Sequence, residues 1–329
     1  MRKVLITGAS GFLGFRTLEY LLKVTSFEFV AAARTLRLER EHSSDRVTYI
    51  YGDLEDEKYL IKLFKAKPVC IINCASLSAP WGDKLSFYKA NIKTQELLIK
   101  HAVINKIQRF IYISSPSIYV NHKDRLNISE ESKLFPPVNH YAWSKRVAEE
   151  KLRLSGIPYI ILRPRALVGR GDTIIFPRLI RAHKEGKLRT MGNGENICDI
   201  TGVVNVAHAI YLALQVEDKS ALNQDYNITN DEPVMLWEEI NKVLIELGHS
   251  PVRGRISQKT GYVLAFMLEL SARIFKKKEP ALLRYSVSTL SRSMTFDISK
   301  AKNLLNYRPI LSTKESLEEF INWRKQDKE

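Results

Sequence analysis

Apolar residues recur along the chain with two alternating periods. Lys3-Val4-Leu5-Ile6 is a short apolar run, and between Phe12 and Lys23 the apolar positions include Phe12, Phe15, Leu18, Leu21 and Leu22. The first spacing predicts a strand, the second a helix, with a tight glycine turn between them. Phe27 to Ala33 predicts a second strand and Val47 to Tyr51 a third; a helix follows from about Glu55 to Phe64, until Pro68 stops it. Val69 to Asn73 is a continuous apolar run suited to a central strand. The spacing then predicts a long helix from about Leu85 to Asn105, a fifth strand from Arg109 to Ser114, and a helix opening at Tyr141. This alternation predicts an α/β fold with a doubly wound parallel sheet.

The junction of the first strand and helix reads Thr7-Gly8-Ala9-Ser10-Gly11-Phe12-Leu13-Gly14. Glycines spaced three apart let the chain turn sharply, let backbone approach a pyrophosphate, and let the helix pack close on the strand. The helix N-terminus then offers free N–H groups to the anion. The order is GxxGxxG rather than GxGxxG, and the alternative is a purely structural turn. Gly8, Ser10, Gly11, Phe12, Leu13 and Gly14 are the expected cofactor contacts at this turn. The second strand ends on Arg34, where an acidic side chain would accept from an adenosine ribose hydroxyl. A guanidinium there, with Arg37 nearby, instead matches a 2′-phosphate, so NADP is favoured over NAD; otherwise Arg34 is simply solvated. Asp53 and Leu54 follow the third strand near the expected adenine, although Asp53 also reads as a helix N-cap. Cys74, Ala75 and Ser76 open a loop of small residues suited to close passage along a cofactor. Trp81 in that loop either walls a substrate pocket or packs the loop.

Further chemistry sits at the fifth strand's end, Ser114-Ser115-Pro116-Ser117, and in Tyr141-Ala142-Trp143-Ser144-Lys145. Residues four apart share a helix face, so the Lys145 ammonium can sit near the Tyr141 phenol and favour its ionised form. That pair can move a proton on and off a carbonyl/alcohol oxygen, while Ser115 holds the same oxygen by a hydrogen bond.

TGASGFLG (7–14), YISSPSIY (112–119), YAWSK (141–145) and LRPRALVGRGD (162–172) together resemble the extended short-chain dehydrogenase/reductase family. The resemblance implies a Rossmann-type sheet with a smaller, mostly helical C-terminal substrate lobe. It also implies Tyr141 as acid/base, Lys145 as the residue that lowers its pKa and binds the nicotinamide ribose, and Ser115 as the group that polarises the substrate carbonyl. Ser115 is chosen because it stands four before Tyr119, as the family's catalytic serine does in its SxxxY run. Asn91 is implied to support the lysine through water, and Pro164 to lie beside the nicotinamide. MGNGENICDIT (191–201), YNITNDEPVMLWEEI (226–240) and residues 279–309 resemble the branch with 3β-hydroxysteroid dehydrogenase/isomerases, sterol-4α-carboxylate dehydrogenases and long-chain 3-oxoacid reductases. Cys198 stands where nucleotide-sugar enzymes usually carry an Arg for phosphate, and Gly202 replaces an aromatic frequent in the branch.

Length and charge refine this picture. A chain of 329 residues is long for one simple domain, so a domain with a smaller lobe is expected. Residues 1–165, completed by about 196–223, should bind the dinucleotide; about 166–195 and 224–329 should form the substrate lobe. The first strand begins at Lys3, leaving no room for a signal peptide ahead of it, and no stretch of 18 apolar residues occurs. Cys70, Cys74 and Cys198 lack zinc spacing and fit a reduced, cytoplasmic protein. The seven histidines are scattered without ligand spacing, so no metal is expected. Net charge is +15, about half of it within residues 250–329. No basic-aromatic nucleic-acid module accompanies it. The apolar stretch Tyr262 to Leu270, followed by Arg273 and Lys276-Lys277-Lys278, reads either as a partly buried helix with a solvated basic end or as a surface helix that meets anionic lipid. Its residues Tyr262, Val263, Phe266, Met267 and Leu270 face the core or a greasy cleft on that spacing.

The leading expectation is an oxidoreductase that interconverts a secondary alcohol and a ketone on a hydrophobic 3-hydroxy or 3-oxo substrate. A nucleotide-sugar epimerase or dehydratase, passing through a transient keto-sugar, is the alternative enzyme. A non-catalytic cofactor-binding regulator is the alternative of another class. The resemblance further implies a homodimer built on the helices at roughly 85–105 and 141–155.

Overall fold

The computed structural model describes residues 2–275 and 279–326; the Lys276-Lys277-Lys278 cluster lies outside the described residues. Seven parallel strands form the main sheet: β1 (Lys3–Thr7), β2 (Glu28–Ala33), β3 (Val47–Tyr51), β4 (Cys70–Asn73), β5 (Arg109–Ile113), β6 (Tyr159–Pro164) and β7 (Gln224–Ile228). Their order is β7-β6-β5-β4-β1-β2-β3, so the sheet runs outward in both directions from β1. The chain therefore reverses its direction of winding between β1 and β4, where doubly wound sheets bind ligands at the strand ends.

Period-two alternation sends each strand's side chains into two layers. Val4, Ile6, Ile72 and Ile111 pack under α1 (Phe12–Val24) and α5 (Val203–Gln215), through Leu18, Leu21, Val206 and Ile210. Leu5, Ile71, Phe110 and Ile161 face the other way, onto α2 (Glu57–Lys65), α3 (Thr94–Ile104) and α4 (His140–Arg153). Both faces are covered, which explains why these strands read as continuous apolar runs.

The second lobe has its own core, in which Phe176, Met191, Trp237, Ile240, Val243 and Phe320 come together. A four-stranded sheet accompanies it, and one of its strands, Arg125–Ile128, comes from the segment between β5 and α4. The second lobe segment was expected to begin at about 224. The chain instead stays in the main sheet through Ile228, because Tyr226 and Ile228 alternate into the α1/α5 core and the strand pairs in register with β6.

Helix boundaries differ from the expected ones for local reasons. Asp56, not Asp53, caps α2, accepting from the Lys58 N–H at 2.9 Å; Asp53 closes a short turn by accepting from Glu55 N–H. The expected single helix from Leu85 to Asn105 is a turn at Lys84–Phe87, a π-helical segment at Tyr88–Lys93, and then α3. No helix among the described residues is long and apolar enough to cross a membrane.

Candidate active site

The glycine turn lies at the carboxyl end of β1. Gly8 has a φ of +67°, and a Cβ there would sit 2.8 Å from the Ala75 backbone nitrogen, at the mouth of β4. A Cβ on Gly14 would strike the Gly8 carbonyl oxygen, so α1 can start this close to the strand only with glycine there. Gly11 N–H donates to that carbonyl at 2.9 Å, and Gly11 caps α1 with no side-chain bond and no acidic residue in the first turn. The first-turn N–H groups are thus left to an anion. This cradle fits a pyrophosphate, and Ser10, Phe12 and Leu13 surround it on a partly exposed rim.

Arg34 follows β2 directly and is exposed, with no hydrogen-bond or ion-pair partner among the described residues. Asp53 is exposed at the end of β3, and Leu54 packs against the core beneath it. Cys74, Ala75 and Ser76 run on from β4 past the glycine turn. Burial pushes the Cys74 thiol up to about 12, so it remains protonated. Pro164 closes β6, two strands over.

The loop after β4 is braced by buried amides, of which the sequence reading singled out Asn91 but not Asn73 or Gln95. Asn73 accepts from Thr7 Oγ1 at 2.5 Å and from Ala75 N–H at 3.1 Å, and it donates to Gln95 Oε1 at 2.6 Å. Asn91, on the π-helical segment, accepts from Leu77 N–H at 2.7 Å and donates to Ser144 Oγ at 2.8 Å. The wider π turn suits a functional position within a helix. Asn91 therefore ties the loop to the helix that carries Tyr141 and Lys145, and reaches Ser144 rather than the lysine itself.

Ser115 caps a short 3-10 turn after β5, with its Oγ accepting from Ser117 N–H at 3.2 Å. Tyr141 lies in the first turn of α4, capped by Asn139. Burial raises the Tyr141 phenol above its ordinary value, and the hydroxyls of Ser78 and Ser115 pull it back. Lys145, one turn on, is buried; its Nζ donates to Ile113 O at 2.8 Å and lies 6.0 Å from the centre of the Tyr141 ring. Burial pushes its amine down to about 7, with Glu149 the first group to oppose that.

Beneath this pair lies an ion network that the motif reading missed. Glu149 takes a two-pronged bond from Arg163, at 2.8 and 2.7 Å, and Arg163 also reaches Asp225 at 2.7 Å and Tyr119 Oη at 2.5 Å. The signal was present in the sequence: Tyr141, Lys145, Glu149 and Arg153 are each four apart, so they share a face of α4.

A cleft of about 950 Å³ opens beside Tyr141, lined by Trp81, Lys84, His122, His140 and Trp143, and on the lobe side by Arg273 and Tyr285. Trp81 thus lines the cleft, with the Arg273 guanidinium 5.7 Å above its ring. His140 opens α4, and its Nδ1 lies 3.1 Å from Gly82 O. His122 also borders a smaller pocket that contains Arg165. Arg165 is buried, its Nε has no hydrogen-bond partner, and it forms no ion pair among the described residues, although its charge reaches the buried Asp199 and opposes the upward push of burial on that carboxyl. It offsets the upward push of burial on Tyr285, and Tyr285 is close enough to Tyr141 for its charge to be felt there. No group of His, Cys, Asp and Glu among the described residues could hold a metal.

A glycine cradle at a switch point, facing a Tyr–Lys pair and a strand-end serine, defines a nicotinamide-dependent enzyme of the extended short-chain dehydrogenase/reductase type. The chain belongs to the NAD dependent epimerase/dehydratase family, whose model matches residues 4–229. It is 30% identical to a 2-alkyl-3-oxoalkanoate reductase of Shewanella oneidensis, over 95% of this chain and 84% of that protein. It is 29% identical to 3beta-hydroxysteroid-dehydrogenase/decarboxylase isoform 1 of Arabidopsis thaliana, over 98% of this chain and 79% of that protein. These relatives bear out the resemblance to the 3β-hydroxysteroid dehydrogenase branch. The solved UDP-glucuronic acid 4-epimerase of Bacillus cereus, in complex with NAD, superposes with a TM-score of 0.77 at 22% identity and covers 99% of this chain and 100% of that one. At that identity the likeness is one of fold.

Proposed function

We propose that the protein is an NADP(H)-preferring oxidoreductase that interconverts the 3-oxo and 3-hydroxy forms of a carboxylic acid with an apolar tail. The observation that carries this reading is Arg165, a buried guanidinium in the smaller pocket next to the cleft, which forms no ion pair among the described residues although Asp199 is near enough to feel its charge, and which touches Tyr285 beside Tyr141. Burying an unpaired charge is costly, and a substrate carboxylate would relieve that cost with two parallel hydrogen bonds. In a 3-oxo acid the carboxylate is two bonds from the reacting carbonyl, so its anchor must stand close to the proton donor. The name of the Shewanella relative agrees with that substrate class.

In this reading a bound nicotinamide supplies or accepts the hydride at the carbonyl carbon. Tyr141 gives its phenolic proton to the carbonyl oxygen in the reductive direction and takes it back in the oxidative one. Ser115 donates a hydrogen bond to the same oxygen, fixing its position. Lys145 stabilises the phenolate by charge, and Asn91 holds the helix and the loop in register. Arg34, exposed and unpaired, pairs with the 2′-phosphate of NADP(H).

Two measurements test the proposal. A thermal-shift titration with NAD⁺, NADP⁺, NADH and NADPH should show the larger stabilisation with the phosphorylated pair, and Arg34→Ala should weaken their binding by about tenfold. Preference for NAD(H) would make Arg34 a solvated bystander. With NADPH, a 3-oxo acid should be reduced with net cofactor consumption, and its methyl ester far more slowly. Arg165→Leu should erase that preference, lowering kcat/KM for the acid by on the order of a hundredfold and leaving the ester rate in place. Turnover of a nucleotide sugar with no net NADPH consumption would instead establish the epimerase reading. The burial of Cys198, whose thiol is pushed up to about 12, speaks against a phosphate site at that position.

A further inference from the structure

The helix Gln258–Ile274 is turned inside out for a globular protein. It buries Gly261, Ala265, Glu269 and Ala272, and its large apolar residues face outward. Val263 is 57% exposed, Phe266 48%, Met267 55%, Leu270 47% and Ile274 64%. The core-facing reading of this stretch is therefore overturned for Val263, Phe266, Met267 and Leu270. The inward face packs on the helix Arg284–Ser291 through small residues and Glu269: a Cβ on Gly261 would already be in van der Waals contact with Val287 Cγ1, at 3.5 Å. Between Lys259 and Arg273 the one charged residue is Glu269, turned inward to take Arg284 Nε at 2.8 Å. The helix itself thus contributes no charge to its outer face over more than three turns; the nearest cation is Arg284, from the neighbouring helix, whose guanidinium lies 5.3 Å from the centre of the Phe266 ring.

We infer that this helix docks the protein on an anionic lipid surface, lying flat in the interface with Val263, Phe266, Met267, Leu270 and Ile274 among the acyl chains. Spacings of three and four place these residues on one stripe, as an interfacial helix requires. Charge selects the occupant. Lys259 stands in the first turn, Arg273 in the last, and the sequence continues into Lys276-Lys277-Lys278, on a chain of net charge +15. Each basic side chain near an anionic bilayer adds to the attraction. A second copy is the poorer occupant, since a twofold contact matches this surface to itself and gives its cations no acidic partner.

The same helix lines the cleft through Glu269, Ala272 and Arg273, so docking brings the cleft close to the lipid surface. Entry of an apolar-tailed substrate from the bilayer rests on the function proposed above. The docking does not, because it can be measured without substrate.

The full-length protein with NADPH should float with phosphatidylcholine vesicles containing a third phosphatidylglycerol. Pure phosphatidylcholine or high salt should weaken binding by about tenfold or more. The double variant Phe266→Glu/Met267→Glu should bind on the order of a hundredfold more weakly, with unchanged melting temperature and elution volume, because both side chains are exposed. Absence of wild-type flotation, or equal flotation of the variant, would overturn the inference. So would a variant that converts a dimer to monomer while the wild type ignores vesicles; that result assigns the face to a second copy.

Discussion

Tyr141→Phe should lower kcat by on the order of a hundred- to ten-thousandfold, the range a positioned acid/base contributes, and leave nucleotide binding in place. Only the phenolic oxygen is removed. The phenyl ring keeps its place 6.3 Å from the Phe87 ring, and Asn139 still caps the helix. The melting-temperature rise with NADPH should therefore survive as turnover falls, and the paired readouts separate loss of chemistry from loss of fold. A chain acting as a cofactor-binding regulator gives the opposite result: Tyr141→Phe would leave its cellular function intact. Lys145→Met should resemble Tyr141→Phe in kcat and also weaken nucleotide binding, because the ammonium serves the phenolate in the proposed mechanism and the family resemblance implies that it also holds the nicotinamide ribose.

The residues that turned out legible in the sequence are those whose meaning lies in spacing. Strand alternation and helical period fix the sheet, since Val4 and Leu5 must face opposite layers whatever surrounds them. The glycine turn is readable because steric exclusion at Gly8 and Gly14 is local. Illegible features depend on what the fold places opposite. The apolar spacing of Val263 to Ile274 is the same whether the stripe meets a core or a bilayer, and only the small residues on the reverse face reveal which side is buried. The π-helical segment at Asn91 leaves no apolar signature, because it inserts a backbone bulge and preserves the run of helix-forming residues. Arg165 carries no spacing signal of its own, and burial with an unpartnered Nε and no ion pair among the described residues sets it apart.

Glu149 offers the largest expected stability effect. Its carboxylate is buried against a buried Arg163; burial alone would raise its pKa, but Arg163 and then Arg153 hold it below the ordinary carboxylate range. Glu149→Gln leaves Arg163 with Asp225 as its remaining charged partner and should cost about 3–5 kcal/mol, the usual result of breaking a buried pair from one side. That lowers Tm by on the order of 10 °C. The exposed Lys100–Glu57 pair serves as control, and its removal should leave Tm where it is. A depressed carboxylate stabilises the fold above its unfolded pKa, near about 4.3, and the gain disappears as pH falls through the lower folded value. The gap between wild type and Glu149→Gln should therefore close in strong acid, and a gap independent of pH would point to lost packing instead. Activity supplies a second readout. Glu149 is the first group that opposes the depression of Lys145, whose amine already sits at about 7. Neutralising it drives that amine lower, so the variant should lose kcat at neutral pH and recover part of it on acidification, as Lys145 regains its proton.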